Sequence, residues 1–170
     1  VIAVLNSIVG KHIFELLCPT MKFEIGDVSK FPLIIENLNL STNNIINIVK
    51  NDWDSFEVSW DFKALPLMNN EFQKSSLTKS YKVLKQFWQS QTDEMKKLEE
   101  ENNKIFINAY GLEDELTPEV PLKEITLTCN PYYRYDAKKS KEELDALQLA
   151  DTMKEYISYA VGVMLGRYSL

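Results

Sequence analysis

The 170-residue sequence has one histidine, His12, and two cysteines, Cys18 and Cys129. The cysteines lie far apart and match no CxxC spacing, so neither a redox motif nor a zinc site is expected. Nothing points to an oxidising compartment, and a cytoplasmic location is expected. Only five glycines occur, none in a G-x-G turn, so the usual cradle of a nucleotide-like cofactor is missing from this stretch. No run approaches the length of a membrane span, and no signal peptide is expected. Basic residues are not in excess either: the net charge is −6, against the habit of free-standing nucleic-acid-binding domains. Any case for nucleic acid must rest on local patches.

What is present is enough apolar material, 45% of residues, for one core or two small ones. The negative charge is localised. Positions 91–124 hold ten acidic and four basic residues, which accounts for the whole excess. The adjacent carboxylates Glu113, Asp114 and Glu115 lack EF-hand spacing, so no metal site is expected there. The chain does not begin with Met and opens inside an apolar run, and it reads as a piece of a larger protein.

The chain is organised around 76–110. Leu77, Tyr81, Leu84, Trp88, Gln91, Met95, Leu98, Asn102, Ile105 and Ala109 follow one another in steps of four and three. That is heptad a/d spacing, which places them on one stripe of a helix. No Gly or Pro interrupts it. Such a helix would be about 50 Å long at about 1.5 Å per residue, too long to be buried inside one small domain. Gly111 should end it. The polar a/d residues Gln91 and Asn102 should fix register or partner. Leu77, Tyr81, Leu84, Trp88, Met95 and Leu98 form a candidate packing or partner stripe. It suits another helix of the same protein, a homodimeric coiled coil, or a ligand held by the aromatics. Beside it, Lys74, Lys82 and Lys85 fall on one side of the helix with no acid between them, and could lie along a phosphate backbone.

Around this helix, 1–17 has helical apolar spacing closed by Cys18-Pro19. Residues 21–25 and 122–129 alternate and read as short strands, and 33–35 reads as a strand or extended segment. Ser41 should cap a short helix over 42–49. Trp53, Phe56, Trp60 and Phe62 form a dense aromatic cluster among acids. A small core explains it more simply than base stacking does. Asn130-Pro131-Tyr132-Tyr133 resembles the [DNS]-P-P-[YFW] loop of amino-methyltransferases, but has Tyr132 in place of Pro. It reads as a structural turn. Ser140-x-x-Glu143 is a capping box opening a helix to about Arg167.

Two resemblances follow from these residues. The stretch LNSIVGKHIFELLCPTMKFEIGDVSKFPLI resembles the end of a target-recognition domain in bacterial adenine-specific DNA methyltransferases of the fused restriction-modification kind. In order after it, SFEVSWDFKALPL, INAYGLEDELTPEVPLKEITLTCNPYYRY and DTMKEYISYAVGVMLGRYSL closely resemble the PglX family, the adenine-specific DNA methyltransferases of BREX phage-defence systems. The resemblance implies a larger enzyme that moves a methyl group from S-adenosylmethionine to adenine N6 in double-stranded DNA. Its catalytic loop and cofactor site would lie in a separate, N-terminal domain.

The expected fold is mainly α with a minor β part (α+β): a long spacer helix of coiled-coil character, shorter helices and a few short strands. The expected divisions are 1–36, the end of a recognition-like domain; 37–75, an aromatic-rich connector; 76–110, the spacer; 111–139, an acidic, Pro-fixed loop and extended arm; and 140–170, a C-terminal helix. The stretch itself is expected to hold no catalytic, cofactor or metal site, and to serve as a DNA-specificity or spacer region. The alternative is a helical scaffold docking another defence-system subunit or a second copy.

Overall fold

The computed structural model describes residues 1–18, 25–34, 41–135 and 138–167. Seven α-helices occur among them: α1 (Ile2–Leu5), α2 (Ile8–Leu17), α3 (Ile25–Val28), α4 (Thr42–Trp53), α5 (Leu77–Tyr110), α6 (Pro131–Arg134) and α7 (Lys141–Met164), with 3-10 turns at Pro66–Met68 and Leu122–Glu124. The chain forms two compact units. One is Val1–Ile46 with Met95–Val120, and the other is Asn47–Glu94 with Pro121–Leu170.

The expected minor β part is corrected: no strand occurs among the described residues. Of the predicted strand at 21–25, residues 21–24 lie outside the described residues, and Ile25 opens α3. Residues 33 and 34 carry no regular structure. Their surroundings explain why. The Tyr110 hydroxyl donates to the Pro32 carbonyl at 2.7 Å and accepts from the Ile34 N–H at 3.4 Å. A side chain on α5 therefore stands where a neighbouring strand would. The same substitution governs 122–129, where alternation does bury Ile125, Leu127 and Cys129. The Thr128 and Cys129 N–H groups donate to the two oxygens of Asp52 at 2.6 and 3.0 Å. The Cys129 carbonyl accepts from Gln148 at 2.8 Å. The peptide groups of a buried segment must be paired, and here helix side chains pair them.

In the unit formed by Val1–Ile46 and Met95–Val120, Ala3, Val4, Val9, Phe31, Phe106 and Ile107 make the core. The single helix expected over 1–17 is two. Ser7 divides it, donating to the Val4 carbonyl at 2.7 Å and accepting the Gly10 N–H at 3.1 Å, as an N-cap does. Two neighbouring asparagines of α5 hold this corner. Asn102, the polar residue in the stripe, donates to the Ala3 carbonyl at 3.0 Å. Asn103 accepts from the Ile8 N–H at 2.9 Å and donates to the Pro118 carbonyl at 3.1 Å.

In the other unit, Tyr81, Leu84 and Trp88 of α5 are buried, as are Leu65, Leu67, Phe72 and Leu144. Leu84 and Trp88 line a small gap with Phe56, Leu65, Leu67 and Thr152. The predicted helix over 42–49 extends to Trp53. Helix α5 ends where Gly111 predicts, with φ at +66°. The Leu112 N–H reaches the Ile107 carbonyl at 3.0 Å and the Gly111 N–H reaches Asn108 at 3.2 Å, a Schellman motif. The Ser140–Glu143 capping box opens α7. A second Schellman turn at Gly166 closes that helix at Met164, short of Arg167.

Gly10 carries a sharp consequence. A Cβ there would lie 2.3 Å from the Val4 carbonyl oxygen and 2.9 Å from that of Leu5, backbone atoms that cannot step aside. Gly10→Ala should cost about 2 kcal/mol, seen as a lower urea midpoint by far-UV circular dichroism. An unchanged midpoint would remove the close approach of α1 and α2 from the account.

Candidate nucleic-acid interface

Charge divides unevenly between the units. Val1–Ile46 with Met95–Val120 holds six basic and eleven acidic residues, whereas Asn47–Glu94 with Pro121–Leu170 holds thirteen and fourteen. Phosphate contact is therefore least opposed in the second unit, which also holds the three candidate lysines.

The structure separates those lysines. Lys74 precedes α5, and its ammonium donates to the Glu71 carbonyl at 3.2 Å. Lys82 and Lys85 lie on the first half of α5 and line one cleft of about 610 Å³. Its opposite wall brings Pro131, Tyr132, Lys141 and Leu144. Lys85 is paired with Asp145 at 2.6 Å, while Lys82 and Lys141 are exposed. The cleft thus gathers three ammonium groups against one carboxylate, with Gln86, Gln89 and Gln148 among its polar walls. Lys141 escaped the sequence reading. The basic residues Lys138, Lys139 and Lys141, flanking the N-cap Ser140, were the available signal.

The packing stripe is largely covered within the chain. Tyr81, Leu84, Trp88, Met95 and Leu98 are buried, and Leu77 is exposed. Tyr81 lies beside the cleft's ion pair. Its buried hydroxyl has no hydrogen-bond partner among the described residues. Burial, and then the charge of Asp145, push its pKa up to about 12. The aromatic cluster does not act as one body. Phe56 lies under the Arg134 guanidinium at 5.4 Å, and Phe62 meets Tyr159 edge-on at 6.0 Å. Trp53 and Trp60 remain exposed. Among the described residues no group of three or more His, Cys, Asp or Glu could hold a metal ion. No helix there is long and apolar enough to cross a membrane.

No protein-family model matches the chain. It is 34% identical over 171 residues to the adenine-specific methyltransferase BrxX of Escherichia coli O9:H4 (strain HS), a match covering 100% of this chain and 14% of that protein. It is also 34% identical over 176 residues to the adenine-specific methyltransferase PglX of Lacticaseibacillus casei (strain Zhang), covering 99% of this chain and 13% of that protein. The chain is PglX-like along its whole length. It spans about one seventh of the length of the curated relatives it matches.

A cradle for S-adenosylmethionine uses a Gly-rich turn between a strand and a helix, and none occurs among the described residues of this PglX-like stretch. The glycines with positive φ, Gly111 and Gly166, both end helices.

Asn130 of the Asn130-Pro131-Tyr132-Tyr133 turn is fully buried. Its Nδ2 donates to the Leu122 and Ile125 carbonyls at 2.7 and 2.8 Å, and its Oδ1 accepts the Tyr132 N–H at 3.1 Å. Both polar atoms of the amide are thus committed to the chain's own backbone. Arg134 and Tyr135 then tie the turn to α7, through Glu155 at 2.6 Å and Asp151 at 2.9 Å. The Cys129 thiol beside it is pushed well up, first by burial and then by Asp52. Asn130→Ala strips the donor from the buried Ile125 carbonyl and the partly buried Leu122 carbonyl and should cost on the order of 3 kcal/mol. Chemical denaturation followed by tryptophan fluorescence measures this, and a loss under about 1 kcal/mol would contradict the role given to Asn130.

Proposed function

We propose that the chain is a non-catalytic, DNA-contacting specificity or spacer region of a bacterial adenine-specific DNA methyltransferase of the restriction-modification or BREX phage-defence type. Double-stranded DNA is the partner of the whole protein, and the cytoplasm its compartment. Methyl transfer from S-adenosylmethionine belongs to a separate domain of that protein. Residues 1–36 close a target-recognition domain, and 76–110 is the spacer helix joining what lies on either side of it in sequence.

The observation that carries DNA contact is the meeting of Lys82 and Lys85 with Lys141 in one cleft, within a chain similar throughout to adenine-specific methyltransferases. Phosphate contacts fix register without reading sequence, which suits a region set beside a base-reading domain. Lys85 is shared with Asp145, so Lys82 and Lys141 are the stronger phosphate ligands. Lys74, off the helix, contributes less.

The second reading, a helical scaffold that docks another defence-system subunit or a second copy, draws on the exposed apolar end of α7, where Ile157, Val161, Met164 and Leu165 face solvent.

Fluorescence anisotropy with duplex DNA over a salt series separates the two. Lys82→Glu with Lys141→Glu should abolish most binding and reduce the salt slope by about 2, one for each phosphate no longer neutralised. Lys74→Glu should leave most binding intact. Duplex binding unaffected by the double change, or absent at low salt, would sink the DNA reading and leave the scaffold.

A further inference from the structure

A second groove in the Asn47–Glu94 and Pro121–Leu170 unit has the opposite chemistry. It encloses about 890 Å³, and its lining includes Trp60, Phe62, Met68, Phe72, Phe87 and Trp88. The Phe72 and Phe87 rings pack at 5.0 Å with their planes tilted by 45°, and Trp88 is buried. Phe87 and Met68 are each about two-fifths exposed, and Trp60 is fully exposed. The lining carries the exposed carboxylates of Asp61 and Glu71 and the partly buried Asp54, against Lys50 and Lys63, with Asp52 buried and already accepting the Thr128 and Cys129 N–H groups.

We propose that this groove binds a basic peptide segment of a partner protein, with an arginine or lysine side chain laid over Trp60 beside the carboxylates of Asp61 and Glu71. The occupant follows from charge and ring chemistry together. An exposed indole is the best aromatic face for a guanidinium or ammonium group. With four carboxylates to two ammonium groups the lining is net negative, which disfavours phosphate here while the lysine cleft favours it. The groove already shows how it treats a cation: the Lys50 ammonium sits between Asp54 at 3.0 Å and Asp61 at 2.7 Å.

The indole is also held out by a fixed loop. Ser59 donates to Asp54 at 2.6 Å and accepts the Asp61 N–H at 3.1 Å. The Ser59 N–H reaches the Phe56 carbonyl at 3.0 Å. A loop tied on both sides of Trp60 fixes the backbone that carries the ring, which lowers the ordering cost of binding. The apolar floor of Phe72, Phe87 and Met68 accepts the residues flanking the cation. This inference does not rest on the DNA reading, because it uses different residues and charge of the opposite sign.

The test is anisotropy of fluorescein-labelled octa-arginine with the whole chain, with labelled octa-glutamate and a labelled DNA duplex in parallel. Trp60→Ala and Glu71→Lys, both at exposed positions, should each raise the octa-arginine Kd at least fivefold and together more than twentyfold. Duplex affinity should not fall, and circular dichroism should be unchanged. Three results would overturn the proposal. One is no octa-arginine binding at low salt. Another is a double variant within twofold of the unmodified chain, which would move the affinity to the acid excess of the other unit. The third is loss of duplex rather than peptide binding in Trp60→Ala, which would make the groove a nucleic-acid surface.

Discussion

Buried backbone without secondary structure has to find its hydrogen bonds in side chains, and this chain meets that demand from its helices. Asp52 on α4 takes two consecutive N–H groups, of Thr128 and Cys129. Gln148 on α7 gives to the carbonyl between Cys129 and Asn130. Asn130 binds the 3-10 turn just before it. In the other unit Asn102, Asn103 and Tyr110 of α5 do the same for the segments at Ala3, Ile8, Pro118 and Pro32. A peptide group left unpaired in these places would cost about 1–3 kcal/mol. A few polar side chains on helix faces therefore decide whether the irregular segments fold. The lysine cleft depends on them directly, since Pro131 and Tyr132 form part of its wall.

That dependence explains what was legible in the sequence. The long helix was legible at both ends and along its stripe, because a four-three repeat and a glycine at C′ are local signals. The capping box of α7 was legible for the same reason. The strands were misjudged because alternate burial is a property of any extended segment packed on a core. Ile125, Leu127 and Cys129 alternate whether the next peptide hydrogen bond goes to a strand or to Asp52. No local pattern names a partner seventy residues away. Asn6 and Ser7 interrupt the apolar residues of 1–17 without breaking their helical spacing, and only Gly10, three residues on, hinted at a close approach. Asn102 stood out as polar in an apolar stripe, yet its partner, the Ala3 carbonyl, had no sequence signal.

The candidate sites divide the same way. Lys82 and Lys85 were legible from helical spacing alone, and the structure keeps them together. Lys74 was grouped with them on a helix that begins three residues later. Lys141 joins them only through tertiary folding. The aromatic cluster, a single feature in sequence, splits into the half-buried rings of Phe56 and Phe62, which pack, and two exposed indoles that do not. The acidic excess belongs mainly to the unit built on the second half of α5. A chain of net negative charge can therefore carry one near-neutral unit suited to phosphate.

The most direct measurement is native-state hydrogen exchange at the Thr128 and Cys129 amides, in the unmodified chain and in Asp52→Ala. Both amides should exchange as slowly as the interior of α5 in the unmodified chain. In the variant they should lose that protection while buried α5 amides near Leu84 remain slower. Exchange at unprotected rates in the unmodified chain, or protection indifferent to Asp52, would contradict the claim that helix side chains hold the irregular core.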